Sequence, residues 1–182
     1  MLKLIIFVLA SAGFVYVSRA SLGVPRSHGF YRFLAWEFLL VLFLLNMEGW
    51  FRDPLSLHQF VSWFLLSLSA FLVVHAVYLL SRIGEPDSRR DDMPMLGMEK
   101  TTTLVTKGPY RHIRHPMYSS LLLLGWGIFF KDPSWLGGSL VVGVTIFLVA
   151  TAKIEEAENR RFFGMTYQDY MERTKMFIPF LF

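Results

Sequence analysis

The sequence predicts an all-α, polytopic membrane protein. It has about five transmembrane helices, the last two forming a C-terminal helical hairpin, followed by a cytoplasmic C-terminal helix. Three observations predict it. Of 182 residues, 54% are apolar and 18% charged, against about 25% charged in soluble domains. The apolar residues gather into five stretches of spanning or near-spanning length. Fifteen of the 18 Lys and Arg then fall on one side of the resulting topology.

A spanning helix needs about 20 mostly apolar residues. Met1–Ser18, Phe33–Phe51 and Gln59–Leu80 meet that need, making 1–80 a set of three N-terminal transmembrane helices. Met117–Phe130 is shorter, reaching about 21 Å at 1.5 Å per residue, less than a full span. Lys131-Asp132-Pro133 reads as a turn, because proline cannot continue a helix. Ser134–Ala152 is the fifth stretch, so 117–152 forms a tight hairpin. Residues 81–116 read as a cytoplasmic loop, polar and rich in breakers through Glu85, Pro86, Asp87, Arg89, Arg90, Asp91, Asp92 and Pro94. In the cytoplasmic tail, 153–182, Lys153–Phe163 continues as a charged helix that Gly164 ends. The whole chain, 1–182, is a single membrane domain.

Five spans leave Lys3, Arg52 and Lys131 on one side and every other Lys and Arg on the opposite side. Short cytoplasmic loops carry the positive excess, so the N-terminus lies outside and the C-terminus is cytoplasmic. The net charge of +4 is then mainly a topology signal, with no call for nucleic acid, and it suits anionic headgroups. A cleavable signal peptide is the rival reading of the first stretch, with Lys3 as n-region and Ala10-Ser11-Ala12 as cleavage site. The apolar run Leu4–Leu9 is short for that role, and apolar character continues through Val17. With no Cys, disulfides, thiolate metal sites and cysteine nucleophiles are excluded.

Chemistry concentrates at the cytoplasmic mouth of the fourth stretch, in Lys107-Gly108-Pro109-Tyr110-Arg111-His112-Ile113-Arg114-His115-Pro116-Met117-Tyr118. Pro116 suits the first position of a helix, which sets Arg114 and His115 at the bilayer entry. A bland reading competes: Arg and His snorkel, and Tyr joins the interfacial aromatic belt. A metal site on His112 and His115 lacks an evident third ligand. Beyond the fifth stretch lies Glu155-Glu156-Ala157-Glu158-Asn159-Arg160-Arg161. Glu156 with Arg160 and Glu158 with Arg161 have the spacing of surface ion pairs. The hairpin nevertheless makes these glutamates neighbours of Arg114 and His115. Gly125 and Gly127 allow either close helix packing or close backbone approach to a ligand. Glu37 and His75 lie within spans, where ionisable groups are costly and functional by default. Both sit near cytoplasmic ends, where snorkelling also accounts for them.

These pieces occur in a recognisable order: Leu104-Val105, Gly108, Tyr110, Arg114-His115-Pro116-x-Tyr118, Gly125-x-Gly127, Glu155-Glu156, Phe163-Gly164-x-x-Tyr167-x-x-Tyr170 and Phe177-Ile178-Pro179. Together they resemble the isoprenylcysteine carboxyl methyltransferase and phospholipid methyltransferase superfamily, over 103–179. The resemblance implies an integral membrane enzyme that takes a methyl group from S-adenosylmethionine at the cytoplasmic face. Its implied cofactor-binding residues are Tyr110, His115, Tyr118, Gly125, Gly127, Glu155 and Glu156, with Arg114 and His115 as the catalytic pair and no metal. The implied partners are membrane lipids and a lipidic or small apolar acceptor.

An isoprenylcysteine-like carboxylate is the first expectation for the acceptor, and a phospholipid amine the alternative. A carboxylate needs no general base and Arg114 would orient it; an amine gains from a base such as His115 or a glutamate. Two further readings stand beside these: a non-catalytic membrane protein keeping the same fold, and a nicotinamide-dependent reductase with a related C-terminal half.

Overall fold

A computed structural model describes residues 1–85 and 101–181. Six α-helices follow in chain order: α1 (Leu2–Leu22), α2 (His28–Asn46), α3 (Leu57–Ile83), α4 (Pro116–Phe129), α5 (Trp135–Phe163) and α6 (Met165–Arg173). Short 3-10 turns occupy Met47–Gly49 and Gly108–Arg111. Among the described residues there is no strand, only an isolated parallel bridge between Ile113 and Lys175. Much of the expected 81–116 loop, including Pro86 to Pro94, lies outside the described residues.

Four helices, α1, α2, α3 and α5, are long and apolar enough to cross a membrane, and α4 is shorter. Side chains such as Leu4, Val8, Phe64, Phe71 and Ile146 point outward, as bilayer solvation of the helices requires. The helices lie in the spatial order α1, α2, α5, α4, α3, with α2 also touching α4.

Local chemistry explains most boundaries. The Ser27 hydroxyl accepts from the Phe30 amide at 3.2 Å, so α2 begins at His28, earlier than Phe33, and Arg32 lies within it. The Ser134 hydroxyl accepts from the Gly137 amide at 3.1 Å and caps α5. Pro116 opens α4. Gly164, at φ 59 and ψ −134, ends α5 in a conformation that only glycine adopts readily. The charged run after Ala152 is thus one continuous helix with the fifth span, and α6 is a separate helix.

The core has two layers. Ala35 and Leu39 of α2, Tyr118 of α4, and Val144, Leu148 and Ala152 of α5 pack with Met176 and Phe177 of the tail. Toward the opposite end, Leu42, Ile128 and Val141 form the second cluster. Polar contacts tie α3 to α4 inside the apolar region: Ser62 donates to the Gly127 carbonyl and Ser69 to the Ser120 carbonyl, both at 2.7 Å. At the α4–α5 turn, buried Lys131 donates to Gln59 at 2.9 Å, and its ammonium lies 3.4 Å from the centre of the Trp63 ring. That lysine is therefore a packing element here, not a freely solvated loop charge.

Candidate active site

The α4 N-terminus and the tail build one wall. The Arg114 amide donates to the Lys175 carbonyl at 2.7 Å, the His115 amide to Met176 at 3.2 Å, and the Lys175 amide back to His112 at 3.0 Å. The Ser119 hydroxyl adds a bond to the Phe177 carbonyl at 2.9 Å. This lattice holds Arg114 and His115 just before α4 without needing helical geometry at either residue. The Tyr170 hydroxyl donates to the Tyr110 carbonyl at 2.7 Å, locking α6 to the 3-10 turn. Burial pushes the Tyr167 and Tyr170 phenols above their usual range, so both stay protonated.

The opposing wall is α5. At about 100° per residue, Glu155, Glu156 and Glu158 point in three directions, and each meets a different element. Glu155 accepts from the Tyr118 hydroxyl of α4 at 2.5 Å. Glu156 accepts from Arg114 Nε at 2.6 Å. Glu158 lies 2.7 Å from His28 Nδ1 of α2, with side-chain exposures of 6% and 1%. The surface-pair alternative for Glu156 and Glu158 thus gives way to buried partners on other elements. The Arg114 guanidinium also donates to the carbonyls of Met171 and Thr174, so one side chain links α5, α6 and the tail.

His115 sits between the two walls. Its Nε2 is 3.4 Å from Glu156 and its Nδ1 4.0 Å from Glu155, both long for a hydrogen bond. The ring stacks on Tyr118, with centroids 5.4 Å apart and planes 18° apart. Glu155 is 23% exposed while His115 is 3% exposed. The reachable carboxylate is therefore Glu155.

These groups line a cleft with Tyr110, Arg114, His115, Tyr118 and Glu155 on its polar side. Leu80, Leu104, Met117 and Phe163 supply its apolar side. The structure therefore brings together five of the eight sequence-derived site residues, and Glu156 adjoins them through Arg114. Gly125 and Gly127 stand apart. Gly125 is ten residues beyond His115, about 15 Å along the helix. A Cβ there would meet Leu39 at 3.2 Å, and one at Gly127 would meet Leu66 at 2.9 Å. Both contacts are with neighbouring helices, α2 and α3.

Glu37 accepts from Ser11 at 2.7 Å, joining α1 to α2. His75 is exposed and contacts its own helix through the Phe71 carbonyl at 3.0 Å. Neither lines the cleft. Asn159, Tyr167 and Tyr170 do line it, and sequence reasoning gave them no site role. The signal for Asn159 was present, four residues after Glu155 on the same helix face. The two tyrosines stood in the quoted motif run, Phe163-Gly164-x-x-Tyr167-x-x-Tyr170, but their place at the cleft depends on how α6 folds back.

Fold and cleft together define a class: a polytopic helical membrane protein with a cleft of carboxylates, arginine, histidine and tyrosine at one end of its spans. The profile of the phospholipid methyltransferase family matches residues 57–168, more than half the chain, and the chain belongs to that family. The match begins at the first residue of α3, earlier than the 103–179 region expected from the motifs. Methanethiol S-methyltransferase of Pseudomonas deceptionensis is 28% identical over 124 residues, which is 66% of this chain and 43% of that protein. Methanethiol S-methyltransferase 2 of Bradyrhizobium diazoefficiens is 33% identical over 75 residues, 40% of this chain and 27% of that protein. The matched part covers less than half the length of either relative. No solved structure gives a significant match.

Proposed function

We propose that this chain is an S-adenosylmethionine-dependent methyltransferase of the membrane acting on a lipidic or small apolar acceptor. The observation behind this reading is the Glu155–Glu156 pair presented among Arg114, His115 and Tyr118 at the end of the hairpin. S-adenosylmethionine, when bound, supplies a methyl group already activated by a sulfonium. The donor set suits it. Glu155 matches a sulfonium or ammonium, Arg114 and His115 match an α-carboxylate through charge-assisted hydrogen bonds, and Tyr110, Tyr118 and Phe163 offer aromatic faces. The cleft has a volume of about 70 Å³, small for a ligand of adenosyl size. Such a ligand therefore has to part the lining, which includes the hydrogen-bonded Tyr118 and Glu155.

Orientation and exclusion of water are what such a transfer asks of a protein. Arg114 fixes Glu156 and anchors α6. Tyr118 orients Glu155. For an amine or thiol acceptor, His115 takes the proton released as the bond to the methyl carbon forms; for a carboxylate no base is needed and Arg114 orients it. The isoprenylcysteine-like carboxylate and the phospholipid amine both suit the apolar side of the cleft. A small thiol is a further reading, favoured by the names of the two relatives. The excess of Lys and Arg at this end supports a cytoplasmic face for the cleft.

The test is calorimetry of S-adenosylmethionine and S-adenosylhomocysteine on the protein in nanodiscs, comparing wild type with Glu155→Gln. Glu155 is chosen because Glu156 is bound to a buried arginine and its loss would disturb folding. Saturable binding weakened about tenfold or more by the loss of one charge-assisted contact supports the reading. No binding by folded wild type would favour a non-catalytic relative, and nicotinamide binding instead would favour the reductase. Transfer of a labelled methyl group to a prenylcysteine analogue, phosphatidylethanolamine or a small alkanethiol then identifies the acceptor.

A further inference from the structure

A second cavity lies beside the cleft, between the Gly108–Arg111 turn and α6. It is a solvent-open groove of about 400 Å³, and Arg111, Arg173, Asp169 and Thr106 line it together with Leu104 and Tyr170. The last two residues also line the cleft, so the cavities share a wall.

Arg111 ends the 3-10 turn and Arg173 ends α6. They are sixty-two positions apart in the chain, and the Ile113–Lys175 bridge fastens their two segments side by side. Among the described residues neither guanidinium makes an ion pair within 4.0 Å or a hydrogen bond, and neither does Asp169. Two uncompensated cations facing one concavity repel each other and draw an anion. Planar guanidinium forks match phosphate oxygens in pairs, and a threonine hydroxyl adds a neutral donor. The single carboxylate leaves the site with a surplus of one positive charge.

We infer that this cavity is a phosphate-binding subsite, held by Arg111 and Arg173 and separate from the methyl-transfer cleft. The group it takes is a phosphate ester or free phosphate, and the phosphate of a membrane lipid and a soluble phosphate share this chemistry. The inference does not depend on methyl transfer.

The experiment uses the full chain in two kinds of nanodisc. In phosphatidylcholine discs, inorganic phosphate is titrated and followed by calorimetry. In a parallel arm, discs containing phosphatidic acid are examined by phosphorus NMR for a protein-bound lipid phosphate. Wild type is compared with Arg111→Gln, Arg173→Gln, the double variant, and Arg161→Gln, which removes one exposed charge from α5 away from the cavity. Removing each guanidinium is expected to weaken binding about tenfold, as the loss of one charge-assisted hydrogen bond implies, with Arg161→Gln near wild type. Saturation by inorganic phosphate identifies a soluble ligand; a bound signal from phosphatidic acid alone identifies the lipid. Absence of binding in both arms, or equal losses in Arg161→Gln and the double variant, would overturn the subsite. Circular dichroism of each variant establishes that a loss is not unfolding, and both substituted residues are solvent-exposed.

Discussion

Arg114 carries more structural linkage than any other residue at the cleft. Its guanidinium is 11% exposed and its partner Glu156 is 8% exposed. Arg114→Ala leaves that carboxylate buried without its cation, which costs about 3–5 kcal/mol; thermal unfolding in detergent will read the loss. Arg114→Lys keeps the charge but not the fork, so it falls between wild type and Ala. His28 occupies a comparable position against Glu158. His28→Ala should lower the melting temperature, whereas Tyr118→Phe removes one hydroxyl that lines the cleft and holds Glu155. For Tyr118→Phe the expected outcome is near-wild-type stability with altered S-adenosylmethionine affinity, measured by the same calorimetry. Arg114, His115, Glu155 and Glu156 were legible as chemistry in the sequence because they stand in an ordered motif run and the hairpin makes the two sets neighbours. His28 and Arg32 were not, because their significance rests on burial, 1% and 2% exposed, and nothing local distinguishes them from loop charges.

At the level of elements, helix α5 is the part on which both membrane crossing and site formation depend. Its first half packs on α2 and α4, and its last turns present three carboxylates to three different neighbours. Gly164 stops it where α6 must turn back, and Gly164→Ala is expected to cost about 1–3 kcal/mol, because its φ and ψ are strained for any other residue. A denaturant or thermal unfolding comparison checks that value. The α3–α4 contact offers a contrasting test of the two glycines. Gly127→Val drives a side chain into Leu66 and should destabilise by about 1–3 kcal/mol through overpacking. If Gly127 serves packing alone, the folded fraction of that variant binds S-adenosylmethionine with unchanged affinity. Loss of affinity without loss of stability would restore the glycine to the cofactor site.

Across the entire protein, charge asymmetry makes the strongest claim: an outside N-terminus with the cleft facing the cytoplasm. The absence of Cys permits a clean measurement. Asp132→Cys in the α4–α5 turn should react with a membrane-impermeant maleimide added to intact cells, and Glu172→Cys on α6 should react only after the membrane is opened. The reverse pattern would invert the topology and move the cleft to the other face. The order α1, α2, α5, α4, α3 also predicts that α1, which packs mainly on α2, contributes least to the cleft.

Hydropathy and charge spacing determined the helical membrane architecture, the short fourth helix, the hairpin turn and the polar residues of one boundary. Each of these is a local or one-dimensional property, set by bilayer thickness, the fixed φ of proline and the bias of positive charge. Tertiary structure decided which carboxylate meets which cation, since three glutamates within one turn and a half differ only in the direction they face. It also decided that Gly125 and Gly127 lie against Leu39 and Leu66 of neighbouring helices, and that Tyr167, Tyr170 and Arg173 reach the site region. Those outcomes depend on helix rotation and on the tail folding back along His112–His115, long-range contacts that no spacing in the chain encodes.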